Sequence, residues 1–100
     1  MFVIIRTFTN VHSMAETARR AETGIGQIVR SISGFGGYYV FDAGEGTGGS
    51  ITFFETEEAA VEANEKSLSW IRLSLADQVE GDPEIMVGKV EVAIEPLGER

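Results

Sequence analysis

The side chains able to do chemistry in this sequence are few and mostly neutral. Cysteine is absent and there is one histidine, His12, which removes thiolate nucleophiles and thiolate metal sites. His12 is the only side chain whose ordinary pKa lies near neutrality. It falls just ahead of a helix start, where a base would reach a pocket opening at the end of a strand; an exposed loop histidine fits the same spacing. With no second histidine or carboxylate at ligand spacing it builds no metal site, and a serine triad would need a carboxylate to meet it through the fold. Asn64 falls within an inward helical stripe, where an amide must find hydrogen bonds. It would hold a substrate carbonyl or oxyanion, or bond to backbone and buried water. Trp70 lies on the flank of that stripe among Ala63, Ser67 and Ser74. Small neighbours around a large ring leave room for a planar ligand, or let the helix pack closely.

One apparent motif is discounted. Residues 44–49 match G-x-G-x-x-G, but a dinucleotide fingerprint needs a strand before it and a helix after it. Here a strand follows, and Asp42 and Glu45 would repel phosphate, so the run is expected to be a hairpin loop.

The elements that position these residues follow from the pattern. Phe2 to Thr9 is β-branched and aromatic, hence a strand. Ser13 followed by Glu16 fits a capping box, and Met14, Ala18, Ala21, Ile25, Ile28 and Ile32 recur at helical spacing. This predicts a helix over 13–23 and a looser helical turn to Ser33. Strands are expected at Tyr38–Phe41 and Ile51–Phe54, joined by a mobile glycine-rich tip. Thr56 caps a second helix with Glu57 and Glu58 in its first turn. Ala60, Asn64, Leu68, Ile71 and Leu75 form its inner stripe. A last strand is expected from about 85 to 95, after the break at Gly81-Asp82-Pro83. The order β-α-β-β-α-β is the ferredoxin-like α+β arrangement, a four-stranded antiparallel sheet with two helices on one face, in a single domain spanning 1–100.

Composition bounds the partners. The formal net charge is −8, which disfavours nucleic acid and anionic membranes and serves solubility. No stretch approaches the about 20 apolar residues of a membrane helix, Phe2–Ile5 is too short for an export signal, and a small cysteine-free domain suits a reducing compartment; a cytoplasmic protein is expected. The first three strands are apolar on both faces, since Tyr38 and Val40 alternate with Tyr39 and Phe41, and Ile51 and Phe53 with Phe54. Two helices cover one face only, so packing two such sheets about a two-fold axis is expected. The expected partner is a second copy.

The element order, the doubly apolar sheet and the runs Gly34 to Ala43 (GFGGYYVFDA) and Ser50 to Thr56 (SITFFET) resemble the dimeric α+β barrel superfamily, near the antibiotic biosynthesis monooxygenase family. The resemblance implies a ligand pocket in each subunit between sheet and helices. That superfamily holds cofactor-free monooxygenases, haem-degrading enzymes, isomerases and ligand-sensing domains, and fold does not choose among them. The haem-degrading branch implies an Asn after the first strand, a Trp and a His on or after the second helix. Asn10 and Trp70 match in type, whereas His12 comes far too early, so no cofactor is expected. The cofactor-free branch implies Asn, Trp and Tyr side chains around a flat phenolic substrate. On that reading Asn64 and His12 are the catalytic candidates, and Trp70, Tyr38, Tyr39 and Asn10 the substrate-binding ones. The alternative is a non-catalytic module that binds a small ligand or simply dimerises.

Overall fold

Phe2–Phe8 forms the strand β1, and its side-chain alternation sets the rest of the molecule. Phe2, Ile4, Arg6 and Phe8 point to one face of the sheet, Val3, Ile5 and Thr7 to the other. The computed structural model describes residues 1–97. Its elements run β1, α1 (Met14–Thr23), α2 (Ile25–Arg30), β2 (Phe35–Gly44), β3 (Thr47–Phe54), α3 (Glu57–Ser74) and β4 (Glu84–Lys89). The sheet order is β2-β3-β1-β4, antiparallel throughout. With the helices on one face this is the expected ferredoxin-like α+β fold.

Local chemistry accounts for the helix starts. The Glu16 amide donates to Ser13 Oγ at 3.2 Å, and the Ala59 amide to Thr56 Oγ1 at 3.2 Å. The capping box at Ser13 is only half made, because the Glu16 carboxylate accepts from Arg19 and Arg20 and the Ser13 amide donates to Gln78 instead. The first helix breaks at Gly24. A Cβ there would overlap the Trp70 ring, so the missing side chain lets α3 press its indole against the junction of α1 and α2.

Three expectations change in detail. The expected mobile tip over 42–49 is mostly strand: β2 and β3 continue to Gly44 and Thr47, leaving a turn at Glu45-Gly46. Both turn residues have positive φ, 54° and 76°, the hand that matches strand twist. Gly46 O accepts from the Val11 amide at 2.9 Å, which ties the turn to the segment before α1. The last strand ends at Lys89, short of 95. Lys89 pairs with Phe2, the first residue of β1, and the Val90 amide donates to Met1 O. Finally, α3 is rotated from the expected stripe: Ala60, Ala63, Ser67 and Ile71 are fully buried and Asn64 and Leu68 half-buried. The small residues let the helix backbone approach the sheet closely.

The core centres on Ile4, Phe54, Ala60, Ala63, Ile71 and Val29, with the Phe35 and Phe54 rings 5.8 Å apart. On the opposite face Tyr39 and Met86 remain 61% and 67% exposed, and Tyr39 meets Phe53 edge-on at 6.4 Å. No helix among the described residues is long and apolar enough to cross a membrane.

Candidate functional site

The alternation of β1 delivers Arg6 to the interior. It follows Ile4 on the helix-facing side and is 1% exposed. Its Nη2 donates to Asn64 Oδ1 on α3 at 3.1 Å. Among the described residues the remaining Arg6 nitrogens, Nε and Nη1, have no partner, and neither do the buried hydroxyls of Thr52 and Ser67. The register explains the grouping. Arg6 pairs with Ser50 and Ile4 with Thr52, while Tyr38 on β2 pairs with Thr52 from the other side. Ser67 lies one helical turn beyond Asn64 on the same face of α3.

The electrostatics of this cluster are unusual for a core. No salt bridge among the described residues reaches Arg6. Burial pushes its pKa down, and the nearby Tyr38 pulls it back up only in part. Burial likewise raises the Tyr38 phenol to about 12, against the opposing pull of Arg6. Tyr38 therefore stays protonated at neutral pH, and the guanidinium lacks a counter-charge.

Tyr38 also walls two spaces. One is a groove of 530 Å³ between the α1–α2 face and the edge strand β2, lined by Val29, Phe35, Tyr38, Tyr39 and Val40, with Glu22 and Arg30 as its charged residues. The other is an inner cavity of 20 Å³ bounded by Phe8, Val11, Tyr38, Val40, Ser50 and Leu75, among others. Tyr38 and Val40 belong to both.

The six residues singled out from sequence separate accordingly. Asn64 and Tyr38 both join the Arg6 cluster. Tyr39 reaches the groove but projects mainly from the opposite face. Trp70 packs against Gly24 at the helix junction, next to the groove residue Gly26. Asn10 and His12 are exposed and flank Val11, a wall of the inner cavity. Asn10 adopts a left-handed φ of 57°, and the His12 amide donates to Gln78 O. His12 and Trp70 thus have different neighbours, Gln78 and Gly24. No cluster of three or more His, Asp or Glu side chains among the described residues is arranged to hold a metal. Arg6 is the residue that sequence reasoning missed. Its signal was a charged residue at an inward position between Ile4 and Phe8.

Neither a protein-family profile nor a curated protein matches the sequence. Solved structures do match its fold. The ActVA-Orf6 monooxygenase of Streptomyces coelicolor, whose structure holds nanaomycin D, superposes with a TM-score of 0.74 at 22% identity, covering 96% of this chain and 92% of that one. The cofactor-independent oxygenase SnoaB of Streptomyces nogalater gives 0.74 at 11% identity, covering 95% and 97%. A candidate antibiotic biosynthesis monooxygenase of Deinococcus radiodurans gives 0.74 at 18% identity, covering 98% and 100%. At these identities the likeness establishes the fold, which is that of antibiotic biosynthesis monooxygenase structures.

Proposed function

We propose that the chain is a small-molecule-binding protein with a monooxygenase-like site for a planar aromatic or phenolic ligand. The observation that carries this reading is the groove walled by Phe35, Tyr38 and Tyr39, whose volume is in the range of small-molecule sites. It adjoins a buried polar cluster, on a fold shared with a monooxygenase that holds nanaomycin D. Aromatic walls orient a flat ring by stacking, and Tyr38, a wall of the groove, would supply a hydrogen bond; Asn64 lines neither space and would act through the Arg6 cluster that it joins. Held in that orientation, an electron-rich carbon that has lost a proton reacts with O₂ directly. One oxygen atom stays on that carbon as a carbonyl and the other leaves as water. Asn10 and His12 would stand at the strand-end mouth, and Trp70 would support the groove from behind through Gly24. The cysteine-free composition supports a cytoplasmic setting.

A panel of anthrones, quinols and flavonoids tests this. Saturable quenching of Trp70, the only tryptophan, together with oxygen uptake under air that stops under argon, supports an oxygenase. Saturable binding without uptake leaves a ligand-binding module, and no binding by any of them refutes the groove as their site.

A second copy is the proposed partner. Tyr39 and Met86, with Phe53 beside them, leave an apolar sheet face that no element of the described residues covers, and sheet-to-sheet packing would bury it. Light scattering at micromolar concentration should give twice the chain mass, and a stable monomer would refute it.

A further inference from the structure

We infer that residues 90–95 are a strand that a second copy completes: each chain lays this arm along the free edge of its partner's β2 and so closes the outer side of the partner's groove. This rests on the readings of the groove as a ligand site and of a second copy as the partner, and adds what that copy contributes to the site.

The arm has the composition of a strand without its pairing. Val90, Val92 and Ile94 alternate with Glu91, Ala93 and Glu95, the period-two pattern of a half-buried strand. The Val90 amide donates to Met1 O, but no strand among the described residues pairs with residues 91–95. That stretch is exposed throughout, Val92 at 76% and Ile94 at 90%. A strand alone in water is not stable, so this one needs an edge to join.

The same chain carries the complementary defect. β2 is an edge strand, bonded to β3 on one side only. It is ten residues long, and Tyr39, Val40 and Phe41 in its middle are exposed. Long apolar edges recruit other strands unless something covers them. Strand addition satisfies the free backbone groups of edge and arm together.

Position favours the partner's arm over the chain's own. β2 and β4 lie at opposite edges of the sheet with two strands between them. The chain's own arm would have to turn across about 14 Å of sheet end, and it is exposed instead of folded over it. Two sheets packed face to face lie about 10 Å apart, and six extended residues span about 20 Å, so the arm of a facing copy reaches this sheet. Exchange about a two-fold axis is closed, because each arm and each edge is used once. The two faces of the arm also match their surroundings. Val92 and Ile94 would extend the apolar sheet face of Tyr39 and Met86, which puts Glu91 and Glu95 on the helix side. There Arg30 lines the groove and has no ion pair among the described residues. Glu22 is the groove's other charge and repels the arm's glutamates, so the expected contact is with Arg30.

The test is paramagnetic broadening between chains. The sequence holds no cysteine, so Pro96→Cys accepts one nitroxide just past the arm and leaves the arm's side chains in place. Labelled ¹⁴N protein is unfolded and refolded together with ¹⁵N wild type. The amides of Val29, Arg30, Tyr38 and Val40 in the ¹⁵N chain should broaden. Adding Val92→Asp and Ile94→Asp to the labelled chain should remove the broadening. The Val92→Asp, Ile94→Asp protein alone should bind the aromatic panel about tenfold more weakly than wild type; equal affinity overturns the arm as a wall of the groove. Broadening in a protein that binds none of the panel supports the arm on β2 and refutes the groove as a site for those ligands.

Broadening confined to Phe53 and Met86, or none in a protein that light scattering shows to be a dimer, overturns the arm exchange and leaves the dimer standing. A monomer by light scattering overturns both. Broadening of the four amides only when nitroxide and ¹⁵N share one chain, diluted with unlabelled protein, assigns the arm to its own sheet and overturns the exchange.

Discussion

Ile4 and Arg6 sit two residues apart on the same face of β1, and each is 1% exposed. Around Ile4 the interior is mainly apolar, with Phe54, Ala60, Ala63 and Ile71 all but fully buried and the hydroxyl of Thr52, its cross-strand partner, as the exception. Around Arg6 it is polar and incompletely bonded, with Asn64 as the single hydrogen-bonding partner of the guanidinium among the described residues. Equal burial thus has opposite energetic meaning at the two ends. Apolar burial stabilises the fold, whereas a buried charge without a counter-charge opposes it. A chain that keeps such a group inside at a cost in stability is one in which that end serves something other than folding.

Substitutions at the two ends should separate these roles. The largest effect is expected at the apolar end. Phe54→Ala should lower stability by about 3–5 kcal/mol, measured by urea unfolding, while the folded fraction still binds ligand. Loss of binding by a folded variant would join the two ends into one unit. The polar end should respond in the opposite direction. Arg6→Met combined with Asn64→Leu should raise stability by about 1–4 kcal/mol, as replacement of buried ionic groups by apolar ones often does. A destabilised double variant would make the cluster structural.

The helix junction sharpens the boundary between them. A methyl group at Gly24 must displace the Trp70 ring, so Gly24→Ala should cost about 1–3 kcal/mol through overpacking and shift the Trp70 emission. Affinity for ligands should stay the same, because Trp70 supports the groove from behind. A large change in affinity would place Trp70 in direct contact with the ligand.

The smallest expected effect lies outside both ends. Arg20 bridges the Glu16 carboxylate and Asp77, with two hydrogen bonds to Asp77 at 2.8 and 3.0 Å. Hydrogen bonds from Arg19 and Arg20 lower Glu16 from 4.5 to about 2, and those from Arg20 and Gln78 lower Asp77 from 3.8 to about 2. Both carboxylates bind protons less readily when folded, so their contribution is fully present above their unfolded pKa values and is lost as pH falls toward about 2. Arg20→Met should flatten the decline of melting temperature between pH 4.5 and about 2. An unchanged slope would show that this bridge contributes little, as many exposed pairs do.

The fold was legible because its signals are local. Runs of β-branched and aromatic residues, the Ser13 and Thr56 caps and the turn residues each name an element without tertiary information, and the β-α-β-β-α-β order then constrains the sheet. The site was less legible because its members meet only through register. Tyr38 and Tyr39 are equivalent in sequence, and the irregular pairing between Phe35 and Gly37 precedes the point where one turns inward and the other outward. Trp70 looked like a pocket wall because its contact, Gly24, lies far away in the chain and leaves no mark on local spacing. Asn64 was correctly read as an inward amide, yet its partner Arg6 was passed over. The apolar residues on either side of Arg6 defined the strand, and the charge itself was read only as the end of the apolar stretch from Phe2 to Ile5.

The most direct test of a ligand site in the groove walled by Phe35, Tyr38 and Tyr39 is nuclear magnetic resonance of the uniformly ¹⁵N-labelled protein, titrated with a hydroxynaphthoquinone. The account predicts that the backbone amides of Val29, Phe35, Tyr38 and Val40 shift together and saturably. Shifts confined to Phe53 and Met86 on the opposite sheet face, with the groove residues unmoved, would contradict it.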